Sequence, residues 1–113
     1  MTGQRDDPVL IYSTFPSLGE AEEVGHAMIA AQLVACVNIY PGMISLYEWQ
    51  GQIVRASEVT ALFKTRQALA ERVMAEIKAL HSYDTPALLV LPTAGGDKAY
   101  CDWISTAAGG ADV

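Results

Sequence analysis

At 113 residues, with 51% hydrophobic and 18% charged side chains, the chain is sized for one domain with a single core and is too apolar for a disordered segment. A formal net charge of -6, without a basic stripe or a block of like charges, excludes the electrostatics of a nucleic-acid or anionic-membrane binder. No apolar run approaches the roughly 20 residues of a membrane span, and MTGQRDDP lacks the charged-then-apolar pattern of a leader. With Cys36 and Cys101 suited to free thiols, the expected location is the cytoplasm.

In chain order, residues 1–8 read as a loose arm and residues 9–107 as one domain. Val9 to Tyr12 is a short buried strand, and Ser13 to Pro16 is expected to turn the chain. Ser17 followed three residues later by Glu20 is a capping box. The helix it opens carries Ala21, Val24, Met28 and Ala31 on one stripe and is expected to end at Leu33 or Val34. From Val34 to Lys64 the β-branched and aromatic residues specify two long strands with a tight turn at Gln50-Gly51-Gln52. Pro41-Gly42 interrupts the first of them as an edge or a bulge. Towards the tip both faces are apolar, with Met43, Tyr47 and Trp49 on one side and Ile44 and Leu46 on the other. Each arm is roughly twice the mean strand of about 5–6 residues. The rest of so small a chain cannot cover such a hairpin, so it calls for a partner.

After Lys64, Leu69, Val73, Ile77 and Leu80 recur at helical spacing, and His81-Ser82-Tyr83-Asp84-Thr85-Pro86 breaks that helix. Ala87 to Leu91 is a fourth strand, apolar throughout and so expected to be buried on both sides. Pro92 to Gly96 is a loop, Asp97 caps a short last helix bearing Tyr100, Trp103 and Ile104, and residues 108–113 form a flexible tail. The order, βαββαβ plus a short C-terminal helix, specifies an α+β ferredoxin-like sandwich with the first and third strands central. Two helices cover one sheet face; packing against other copies would cover the second.

Two constellations could carry chemistry. His81 with Asp84 offers an imidazole and a carboxylate suited to Cu(II) or Zn(II), although a tight site takes three or four ligands. The alternative is that His81 caps the helix C-terminus. Glu58 and Lys64, six positions apart, leave the same face of their strand, as Tyr47 and Trp49 leave theirs. With Tyr83 they could line a pocket for a small anion or nucleotide-like ligand; otherwise Glu58 and Lys64 form an ion pair between subunits. Cys36 reads as a small buried apolar residue, and Cys101 has no cationic neighbour to activate it. No nucleophile elbow, phosphate-cradling loop or zinc hydrolase motif is present, so neither an enzyme nor an organic cofactor is expected.

The run Ala35-Cys36-Val37-Asn38-Ile39, then Pro41-Gly42, Ser45-Leu46-Tyr47 and Trp49-Gln50-Gly51, resembles the divalent-cation tolerance (CutA) family. So do Glu58, Lys64-Thr65, the His81-Ser82-Tyr83-Asp84 turn, Leu91-Pro92, and Gly96-Asp97 followed by Tyr100 and Trp103. The resemblance implies tight homotrimers of a ferredoxin-like fold, the long hairpins pairing between subunits that look like those of PII signalling proteins. It also implies weak or moderate binding of copper or another divalent cation, in a response to metal ions. Where the family usually reads His-Pro-Tyr-Glu this chain has His81-Ser82-Tyr83-Asp84, and Gln50 stands where Glu often follows the tryptophan. Some bacterial members have cysteine at the position of Ser13 and an additional histidine at that of Leu80; of the residues assigned to copper there, only His81 stands here. The alternative is a PII-like sensor or scaffold that binds an anion or nucleotide at the subunit interface.

Overall fold

The long hairpin forms where the β-branched and aromatic residues are densest. In the computed structural model, which describes residues 6–109, β1 (Pro8–Phe15) and α1 (Leu18–Ala30) lead into strands β2 (Cys36–Trp49) and β3 (Gln52–Arg66). Gln50 and Gly51 join the two at φ 52° and 80°, the left-handed pair of a type I′ turn whose twist matches the strands it connects. The β2–β3 register shifts between Tyr40 and Met43, so Pro41-Gly42 is a bulge. A single 3-10 turn at Gln67–Leu69, α2 (Ala70–Leu80), β4 (Leu89–Pro92) and α3 (Lys98–Ala107) complete the chain. The sheet order is β2-β3-β1-β4, antiparallel throughout, with the first and third strands central as expected.

Alternation along the central strands builds the core. Val9, Ile11, Phe15, Val59, Ala61 and Phe63 share one buried cluster with Ala21, Val24 and Met28 of α1 and with Val73 and Ile77 of α2. Lys64 and Arg66 project from the other face, where Lys64 meets Tyr100 of α3.

Several boundaries differ from the sequence expectation. Strand β1 runs through Ser13 and Thr14 to Phe15, where a turn was expected, because those residues keep the alternation and pair with Val59 to Ala61. Helix α1 stops at Ala30, not at Leu33 or Val34. Gln32 adopts φ 59°, the Gln32 N–H donates to Ile29 O, and the Leu33 N–H donates to Met28 O, which together make a Schellman stop. Leu33 and Val34 then enter the core as loop residues. Ala31 and Leu80 are exposed, outside their expected stripes. The capping box is half made: the Glu20 N–H donates to Ser17 Oγ at 3.1 Å, but the Glu20 carboxylate accepts from the Ser82 N–H at 3.0 Å instead.

Strand β4 is shorter than Ala87–Leu91 and is not buried on both sides: Val90 packs on the core, while Leu89 and Leu91 are exposed. It pairs only with β1, and the two leucines sit opposite Tyr12 and Leu10 on the face away from α1 and α2. Residues 6–8 of the expected loose arm are held. Arg66 donates to Asp6 at 2.7 Å, and the Ala68 N–H donates to the same carboxylate at 2.9 Å. Ala108, assigned to the tail, is buried, and Arg66 donates to its carbonyl at 2.7 Å. Residues 1–5 and 110–113 lie outside the described residues.

The hairpin tip makes the molecule long, 50 × 27 × 23 Å. Ile53 is 83% exposed, Leu46 69% and Trp49 62%, all on the paired strands of the hairpin with no other described residue covering them.

Candidate functional site

Where the hairpin leaves the body of the sheet, Thr14, Tyr47, Trp49, Glu58, Tyr83, Thr85 and Ala87 line an open cleft of about 630 Å³. Strand alternation explains the convergence. Met43, Ser45, Tyr47 and Trp49 leave β2 on one side, and Glu58, paired with Met43, leaves β3 on that side too. The Glu58 carboxylate accepts from Ser45 Oγ at 2.7 Å through Oε1 and from the Tyr83 hydroxyl at 2.9 Å through Oε2. Burial, and then the hydrogen bond to Glu58, push the Tyr83 hydroxyl up to about 12, so Tyr83 remains a donor throughout the neutral range. Among the described residues, those lining the cleft include one carboxylate, three aromatic rings and no basic side chain.

His81 holds this wall from behind. Its side chain is fully buried and stacks on Phe15 with ring centroids 4.5 Å apart. Nε2 lies 2.7 Å from Thr14 O, so it must carry the proton and donate. Nδ1 accepts from the Tyr83 N–H at 3.1 Å, so both ring nitrogens are engaged. The carboxylate beside Nδ1 is that of Glu20, at 3.6 Å. It reaches the turn from α1, and no signal in the local sequence around His81 announces it. His81 stands at the C-terminus of α2, yet its side chain caps no carbonyl of that helix; it fastens β1 to the turn that presents Tyr83.

Asp84 lies exposed in that turn. Among the described residues, no group of three or more His, Cys, Asp and Glu side chains could hold a metal ion. With both His81 nitrogens committed and fewer than the usual three or four ligands gathered, one chain does not fit a resident Cu(II) or Zn(II) ion. Lys64 also stands apart from the cleft. Its ammonium donates to the Tyr100 hydroxyl at 2.9 Å and lies 5.3 Å from the centre of that ring. That hydrogen bond favours the charged form and holds the Lys64 pKa above the usual lysine value. Six residues of strand, at about 3.3 Å each, separate it from Glu58 by roughly 20 Å. The structure therefore brings together Tyr47, Trp49, Glu58 and Tyr83 of the expected pocket residues and leaves Lys64 out. Thr14, Ser45 and Thr85 were missed; Ser45 was legible, two residues from Tyr47, whereas Thr14 was hidden by ending the first strand too early. Cys36 and Cys101 are free, half-buried thiols.

The family model described as CutA1 divalent ion tolerance protein matches residues 9–107. The divalent-cation tolerance protein CutA of Archaeoglobus fulgidus is 43% identical over 94 residues, covering 83% of this chain and 91% of that protein. The chloroplastic protein CutA of Arabidopsis thaliana is 36% identical over 96 residues, 85% of this chain; the chain spans only about half, 53%, of that protein's length. Among solved structures, the one described as the periplasmic divalent cation tolerance protein CutA from Archaeoglobus fulgidus superposes with a TM-score of 0.86. It is 40% identical and covers 89% of this chain and 98% of that one. With nearly every described element inside the matched span, this chain belongs to the CutA1 divalent ion tolerance family.

Proposed function

We propose that the chain works as a homotrimer of PII-like arrangement and takes a small ligand in the cleft around Glu58, as its part in divalent-cation tolerance. The observation that supports this reading is the convergence of Tyr47, Trp49, Glu58 and Tyr83 on one open cleft from three separated segments. Trimer formation is supported by the uncovered hairpin, whose apolar tip a neighbouring copy would cover while adding a wall to the cleft. Copper or other divalent ions would be met weakly, since binding at His81 must first break its bond to Thr14 O or to the Tyr83 N–H. We read the role as binding and not catalysis: the described residues lining the cleft are one carboxylate already held by two hydroxyl donors, aromatic rings, two threonines and an alanine. A cytoplasmic site of action is supported by the two free thiols. No helix among the described residues is long and apolar enough to cross a membrane.

A thermal-shift screen against organic anions, nucleotides, organic amines and divalent metal salts tests the reading. The expected result is a rise in melting temperature with an organic compound that Trp49→Ala abolishes. Stoichiometric Cu(II) uptake lost in His81→Ala, with no organic ligand found, would overturn it in favour of a metal site.

A further inference from the structure

Charge selects the chemistry of the ligand. Among the described residues, Glu58 is the one charged side chain that lines the cleft, and both of its oxygens accept from hydroxyl donors, so the negative charge is held in place without being cancelled. Nearby cations are engaged or face elsewhere. Lys64 is bound to Tyr100, Arg66 to Asp6 and the carbonyl of Ala108, and Arg55 sits opposite Leu46, on the other face of the hairpin from Glu58. Among the described residues of this chain, an anion entering the cleft finds no countercharge. A hydrated divalent metal finds one carboxylate where it takes six or more oxygens. What remains around Glu58 are the rings of Tyr47, Trp49 and Tyr83, whose faces attract a cation that is only loosely hydrated.

We infer that the cleft binds an organic cation, an ammonium group on an apolar body, with the charge against Glu58 and the body among Tyr47, Trp49 and Tyr83. A volume of about 630 Å³ admits a small molecule of that kind, and the chain's net charge of -6 draws it in. This inference rests on the cleft being a ligand site at all, and the test separates the two.

Three probes of similar size that share a phenyl ring are titrated calorimetrically into the full-length protein: benzylammonium, neutral benzyl alcohol and anionic benzoate. The cation should bind about tenfold or more tightly than the alcohol, and benzoate most weakly. Glu58→Gln should bring the cation and the alcohol to similar affinity, and Trp49→Leu should weaken the cation several-fold. Benzoate binding as tightly as the cation, with the Trp49→Leu variant weakened for both, would overturn the cation assignment and keep the cleft. Saturation by none of the probes, or saturation unchanged in both variants, would overturn the cleft as well. Should Glu58→Gln fail to fold, the order of the three probes on the unaltered protein still decides the sign of the ligand.

Discussion

Tyr83 carries the clearest pH signature in the molecule. Its hydroxyl is pushed up to about 12 by burial and by the hydrogen bond it donates to Glu58. A proton held more tightly in the folded than in the unfolded state contributes stability that is complete below the ordinary tyrosine value of about 10. That contribution is lost as pH rises from there through about 12. Ultraviolet titration of the phenols should therefore show one tyrosine ionising near 12, absent in Tyr83→Phe, and that variant should lose less stability between those limits. Ser13 gives the opposite kind of test. Among the described residues its buried Oγ has no hydrogen-bond partner, so the hydroxyl carries a desolvation cost that none of them offsets. Ser13→Ala should leave stability unchanged or raise it by up to about 1 kcal/mol in urea unfolding; a loss above about 2 kcal/mol would show that the hydroxyl has a partner after all. At this scale the sequence was readable wherever period-2 alternation ruled, which is why Tyr47, Trp49 and Glu58 could be grouped. It was opaque where contacts cross the chain. Glu20 reaches Ser82 over 62 positions, and Lys64 shares a face with Glu58 yet turns to a tyrosine 36 positions away.

Left-handed backbone at Gln32 ends helix α1, and at Gln50 and Gly51 it turns the hairpin. The stop of α1 at Gln32 is a costly one, since φ 59° places a side chain in the left-handed region that glycine enters at no steric cost. Gln32→Gly should stabilise the protein by about 0.5–1 kcal/mol in chemical denaturation, because the Schellman bonds from residues 32 and 33 remain; destabilisation would mean that the Gln32 side chain makes a contact that matters. The order of elements and the central strands followed directly from alternation and turn chemistry. The boundaries did not. Ser13 and Thr14 resemble turn residues by composition, yet as strand residues they satisfy the ladder opposite Ala61 and Thr60. The continuous apolar run Ala87 to Leu91 suggested burial on both sides, a property that in an edge strand depends on what lies outside the chain.

The whole molecule is organised by a surface that one chain does not cover. Ile53, Leu46 and Trp49 are exposed along the part of the hairpin that pairs without interruption, from Met43 opposite Glu58 to Trp49 opposite Gln52. An isolated chain would present them as an open, aggregation-prone edge. In the proposed trimer, copies of the chain would cover them, remove that edge and wall the cleft in one step. The measurement that tests this most directly is native mass spectrometry of the purified protein, diluted to low micromolar concentration. Three copies per particle are predicted, with Ile53→Lys shifting the population towards single chains. A stable, soluble single chain as the main species of the unaltered protein would contradict the account.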